Sequence, residues 1–209
     1  MNAPVNMDQI DTIHKAYKAL YEVNQAMTQV WVTDSLFAWQ WWLQVGLTLV
    51  PWTVWLIFRK RDSTDRLLYA GFFAMLVSSW LDFEGVSLGL WSYEYSLIPT
   101  MPTFIPWDFS LIPVTIMFLL QVKPNLNPVI KAIFFAGMTC CVGEPIFKWV
   151  NVYNPEGWKY IYSFGIYGLI YLATHYVSRR TNFANLAPGY NDEYFGEHTK
   201  KQNANDGNH

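Results

Sequence analysis

Four carboxylic acids sit where a chain rarely tolerates them: Asp82, Glu84, Asp108 and Glu144 all fall inside long apolar runs. An ionisable side chain surrounded by hydrocarbon is costly, so each marks a candidate site by default. Asp82 lies fifteen residues beyond Leu67, where its run begins, and Glu144 fifteen beyond Val129. With a rise of about 1.5 Å per helical residue, both stand ~22 Å from the start of their runs. Asp108 is four residues into a run entered from the opposite side. Three separate segments thus bring a carboxyl to one height, an agreement that scattered acids would not show. Around that height lie Trp80, Trp91, Tyr93, Tyr95, Trp107, Trp149, Tyr153, Trp158 and Tyr162. The expected result is an acid-bearing pocket with aromatic walls. Asp82, Asp108 and Glu144 are its candidate catalytic groups; Trp80, Trp91, Tyr93, Trp107, Trp149 and Tyr162 are its candidate substrate-binding surface. A carboxyl kept neutral by its surroundings can donate a proton, and aromatic faces stabilise a developing cation.

Local sequence bears on which way the acids turn. Asp82, Gly85 and Gly89 share one helix face, and small residues let another helix approach closely, so Asp82 is expected to face protein. Glu84, two positions on, points elsewhere and is expected near the surface. Pro145 follows Glu144 and has no N–H for the carbonyl of Cys141; Pro113 does the same to Phe109. Irregular backbone of this kind is tolerated in hydrocarbon only where protein buries it.

The elements that must position these groups follow from hydropathy. Of the 209 residues 52% are hydrophobic, 18% aromatic and only 14% charged, against about 25% charged in a soluble domain. Crossing a bilayer takes ~20 apolar residues of helix. Residues 37–58, 67–90, 104–122, 129–150 and 160–177 meet this need, which predicts an all-α membrane bundle of about five transmembrane helices. Breaks between them have mechanisms: the charged run Arg59-Lys60-Arg61-Asp62, the prolines Pro99, Pro102 and Pro106, the turn Lys123–Pro128, and Asn154-Pro155-Glu156-Gly157. Lys and Arg collect on one side, as Arg59, Lys60, Arg61, Arg66, Lys123, Lys131, Arg179 and Arg180, so that face is expected to be cytoplasmic. A multi-pass plasma-membrane protein follows, with its N-terminus outside, its C-terminus in the cytoplasm and the acids near the outer face.

Three regions are expected. Residues 1–35 form an extracytoplasmic amphipathic helix, with Ile10, Ile13, Tyr17, Leu20, Met27 and Trp31 on one stripe. It would lie on the membrane surface or pack on the bundle; the sharper alternative is a short dimerising seam with Asn24 at a core position. Residues 36–178 are the five-helix domain, and residues 179–209 are a polar tail with the composition of a disordered segment. Residues 1–12 lack the basic stretch and apolar core of a cleavable signal peptide. Cys140 and Cys141 read as packing residues, and the four histidines have no ligand spacing, so neither a metal nor another cofactor is expected. A net charge of −2 offers no case for nucleic acid. The expected partners are the bilayer and an apolar small molecule, with oligomeric state open.

The blocks Asp82…Gly85…Gly89-Leu90-Trp91-Ser92-Tyr93, Leu97-Ile98-Pro99, Pro106-Trp107-Asp108 and Ile112-Pro113-Val114 resemble an uncharacterised family of small multi-pass membrane proteins of spore-forming bacteria. Gly143-Glu144-Pro145-Ile146-Phe147 and Trp158–Phe164 are similar to its later blocks, so the resemblance covers about residues 36–178. It implies the same span count and marks Asp82, Asp108 and Glu144, but implies no activity.

Three classes of function are compatible with these features. The first is binding or acid-catalysed conversion of an apolar or prenyl-type lipid, the chemistry of membrane-integral terpene cyclases. The second is a small transporter, receptor or sensor whose carboxylates hold a proton or cation, although the inverted repeat of many transporters is missing. The third is a non-catalytic assembly partner.

Overall fold

A computed structural model of the chain describes residues 7–180. Among these residues it forms seven α-helices: α1 (Met7–Val30), α2 (Trp39–Phe58), α3 (Thr64–Ser87), α4 (Ile112–Gln121), α5 (Pro128–Met138), α6 (Glu144–Trp149) and α7 (Tyr160–Ser178). Three single π-helical turns continue them: Trp31–Ser35 extends α1, Trp107–Leu111 leads into α4, and Thr139–Gly143 joins α5 to α6. The result is six rods, and the five apolar runs of the sequence each coincide with one. The polar tail expected over residues 179–209 lies outside the described residues from position 181 onward.

Three rods are long and apolar enough to cross a membrane: Trp39–Phe58, Arg61–Ser87 and Pro128–Trp149. Trp107–Gln121 is apolar but shorter. α7 has the length, at 19 residues, but Tyr167, Tyr171, Thr174 and His175 lower its mean hydropathy.

Helix ends are set by local chemistry. The Asn127 side chain accepts a hydrogen bond from the Val129 N–H at 2.9 Å and Pro128 opens α5, where its missing N–H costs nothing. α3 closes with Gly89 at φ +69° and bonds from Leu90 N to Gly85 O and from Gly89 N to Val86 O. That left-handed residue is suited to glycine, and it folds the chain back over the helix it has just left. Pro113 deprives the Phe109 carbonyl of its helical donor, and the indole of Trp52 on α2 takes its place at 2.8 Å. The bond between α2 and the π turn thus uses the carbonyl that this proline leaves free.

The core lies between α3, α4, α5 and α7. Ala74, Ala132 and Ala136 are fully or almost fully buried, and their small side chains admit Ile112, Ile116, Phe135 and Tyr171 between the helices. Trp55 of α2 is buried with Leu67, Val114 and Met117. The outside is apolar too: Leu49 and Ile57 on α2, Phe72 and Leu76 on α3, Ile133 and Phe134 on α5 and Leu169 on α7 are all exposed. A contiguous exterior of this kind suits an apolar surrounding. At one end of the bundle the turns bearing Arg59 to Arg61 and Lys123 meet Arg179: Gln121 links to Phe58 and Lys60, and Arg179 donates to the Pro124 carbonyl.

α1 buries none of its residues. Its apolar stripe, including Tyr17 and Leu20, stays exposed, so of the placements expected for it, packing along the bundle is not what the structure shows. On the π turn that extends it, the Trp31 indole donates to the Ser96 carbonyl at 2.8 Å.

Candidate functional site

Asp82 on α3, Asp108 on the π turn before α4 and Glu144 at the start of α6 line one cavity of about 210 Å³. All three are buried, at 7%, 1% and 6% exposure. Among the described residues none of them forms an ion pair; the pairs Lys15–Asp11 and Lys18–Glu22 lie on the surface of α1. Lys148, a conceivable partner for Glu144, is exposed.

The surroundings of the three acids differ. Asp82 is saturated. Its Oδ1 accepts from the Trp91 indole at 2.7 Å and the Tyr93 hydroxyl at 2.6 Å, and its Oδ2 accepts from the Phe104 N–H at 2.7 Å. Asp108 lies beside Asp82 and Ser78, and its Oδ2 is buried without a partner. Glu144 meets the hydroxyls of Ser163 and Tyr167, and its Oε2 is likewise buried without one. Both of its hydroxyl neighbours are held from behind: the Trp107 indole donates to Tyr167 at 2.8 Å and the Trp158 indole to Ser163 at 2.9 Å. Each acid cluster therefore rests on phenol or alcohol groups and on indole N–H donors, while two carboxyl oxygens remain open.

The aromatic wall is assembled by turns rather than by helix faces alone. The hook at Gly89 returns Trp91 onto Gly85, where an added Cβ would run into the indole ring. The Gly85 face thus receives a tryptophan from the following loop, in place of the neighbouring helix expected there, and Gly89 serves the turn and not the contact. Trp91 meets Trp158 edge-on at 5.0 Å. Over the cavity, the two-residue strands β1 (Ser92–Tyr93) and β2 (Tyr153–Asn154) pair antiparallel and tie the α3–α4 loop to the α6–α7 loop. Glu156 accepts from both Ser92 and Asn154 and staples this ladder from outside. Burial pushes the Tyr93 phenol well above its ordinary range, and the Asp82 charge adds to the effect. Tyr153 is raised as well, first by burial and then by Glu144. Both remain hydroxyl donors throughout the neutral range.

Of the aromatic residues expected around the acids, Trp91, Tyr93, Trp107, Tyr153 and Trp158 line the cavity. Trp80 and Trp149 do not; they are 63% and 82% exposed. Tyr162 is half exposed and touches only the outer side of Trp158, ring to ring at 5.2 Å. Phe104, Phe147, Ser163 and Tyr167 also line it. Tyr167 and Ser163 were legible as members of one α7 face at i and i+4, but nothing in the sequence turns that face towards Glu144. Glu84, expected near the surface, is exposed and stands at the rim with Leu81 and Leu88. The cavity therefore reaches the apolar exterior along α3.

Among the described residues no group of three His, Cys, Asp or Glu could hold a metal ion. Cys140 is buried and Cys141 exposed, and both are free. No family model, curated protein or solved structure matches this chain.

Proposed function

We propose that the chain is a five-span membrane protein that binds an apolar or prenyl-type lipid and converts it by acid catalysis, with the acid chamber towards the outer face. One observation carries this reading: carboxyls from three different rods meet in an apolar, aromatic-walled cavity, and the oxygens Asp108 Oδ2 and Glu144 Oε2 are left open. Leaving buried polar atoms unpaired costs stability, and these two belong to acids that line a cavity, which suits a ligand better than packing. In the proposed chemistry Asp108, protonated, gives its proton to a carbon–carbon double bond, and the π-electron pair forms the new C–H bond. The faces of Trp91 and Trp107 stabilise the resulting cation. Glu144 takes a proton from a neighbouring carbon, whose C–H pair closes a new double bond. The product is a double-bond isomer, or a ring where a second double bond of the same molecule attacks the cation before that proton is lost, and the proton returns from Glu144 to Asp108 before the next turnover. Asp82, fully occupied by its donors, positions the Trp91 and Tyr93 walls. The span count and orientation support the reading through the shared cationic end of the bundle, Arg59 to Arg61, Lys123 and Arg179. The resemblance to small bacterial multi-pass proteins is part of the same proposal and rests on sequence blocks alone.

Open carboxyl oxygens beside indole faces also suit a small organic cation, so a carrier or receptor for such a cation is the second reading. Mass spectrometry of molecules copurifying with the wild type, Asp108→Asn and Glu144→Gln separates the two. A neutral apolar lipid enriched on the wild type and depleted on both variants is the expected result. An organic cation with that pattern would transfer the site to the second reading, and equal phospholipid on all three would refute both.

A further inference from the structure

A second cavity, of about 510 Å³, opens between α2 and the α5–α6 rod. Its walls are apolar except for Thr115 and Thr139, and it shares Trp107, Ile112 and Phe147 with the acid chamber. Those three side chains line both spaces. Trp107 is held in place from three directions. Its N–H bonds Tyr167, its ring meets Phe147 edge-on at 5.1 Å, and its far edge lies on Gly143, where any Cβ would collide with it. Val142 and Ile146 on the groove's rim are more than half exposed, at 52% and 51%, so the groove opens sideways onto the same apolar surroundings as the helix exteriors.

Volume decides what must enter it. Ligand pockets run from about 300 to 1,000 Å³, and the acid chamber alone, about 210 Å³, falls short of that range. A molecule with an extended hydrocarbon body cannot lie wholly among the acids. We infer that the groove between α2 and the α5–α6 rod holds the hydrocarbon tail of the ligand whose reactive end the acids receive, with the Trp107–Phe147 edge as the threshold between tail and head. This inference rests on the lipid reading above and specifies it: the substrate is an amphiphile or long-chain isoprenoid whose reactive group is terminal. Gly143 is then a positioning residue, since it fixes the indole that divides the two compartments.

The test uses the full chain in detergent and two probes, geraniol and the longer geranylgeraniol, with binding read by native mass spectrometry. Val142→Trp and Leu43→Trp fill the groove from opposite walls, and neither touches an acid. Wild type is expected to bind the longer alcohol at least about tenfold more tightly, because the added chain is buried in the groove. Both groove variants should bring the longer alcohol down to the affinity of the shorter one and leave geraniol unchanged. Longer-alcohol binding that survives both variants overturns the groove assignment by itself. Should binding of either alcohol be indifferent to Asp108→Asn and Glu144→Gln, the chamber reading fails, whatever the groove variants do.

Discussion

Two buried polar sites at opposite ends of the bundle use their capacity in different ways. At the cationic end, Lys131 is only 5% exposed and its Nζ donates to the carbonyls of Leu119 at 2.6 Å and Val122 at 2.8 Å. The last turn of a helix leaves carbonyls without partners and carries a negative dipole end. Lys131 on α5 thus completes α4 and locks the two helices together. At the chamber end Asp82 is equally committed, to one indole, one phenol and one backbone N–H. Asp108 and Glu144, beside it, each keep an oxygen that nothing in the fold occupies. A buried polar group whose valences are all consumed is an element of architecture. An unpaired acid that lines a cavity is a place for something else.

The largest effect that could break this comparison concerns which side of a membrane each end faces. With Cys140 and Cys141 replaced by alanine, Ser96→Cys is expected to react with an impermeant thiol reagent on intact cells, and Asn125→Cys is not. The reverse pattern would put the chamber on the cytoplasmic side and reject the proposed orientation.

Removing the architectural charge should come next in size. Lys131→Met leaves two helix-end carbonyls without their donor and is expected to lower stability by about 1–3 kcal/mol, read as a lower unfolding temperature in detergent. Ligand binding below that temperature should be unchanged. Were binding to fall in step with stability, the division between architectural and functional polar groups would not hold.

Smallest on stability, and sharpest, is the contrast among the acids themselves. The sequence alone suggests that amides at all three positions preserve folding. The structure revises this for Asp82, because donors approach both of its oxygens and an amide nitrogen cannot accept. Asp82→Asn should therefore cost about 1–3 kcal/mol. Asp108→Asn and Glu144→Gln should each cost less than about 1 kcal/mol, since the amide oxygen can keep the partnered side while the nitrogen takes the unpaired one, yet both should abolish ligand retention. A large stability loss in either of the latter two would show that their oxygens do structural work.

Helix placement was legible because it depends on one-dimensional quantities. Apolar run length, proline and the Lys/Arg breaks locate the rods, and α2, α3, the α5–α6 rod and α7 begin and end within three residues of the runs at 37–58, 67–90, 129–150 and 160–177. The common height of Asp82, Asp108 and Glu144 followed from the fixed rise per residue. The free carbonyl of Phe109 followed from Pro113, although its partner, Trp52, lies 57 positions away in the chain and could not be named. Rotation was not legible. Height says nothing about which way a rod turns, so Trp80 and Trp149 were expected in the wall and face outward instead, while Tyr167 was overlooked.

Short elements were not legible either. A two-residue strand has no periodicity to detect, so the ladder of Ser92–Tyr93 with Tyr153–Asn154 exists only once packing has brought the two loops together. The sequence by itself determined how many apolar rods there are, how deep in them the acids lie, and where the backbone must depart from regular helix. Only the tertiary structure decided which acid is saturated and which is open, because that depends on donors delivered from other rods and loops: Trp91 by the turn at Gly89, Tyr93 by the ladder, and Tyr167 and Ser163 by the rotation of α7.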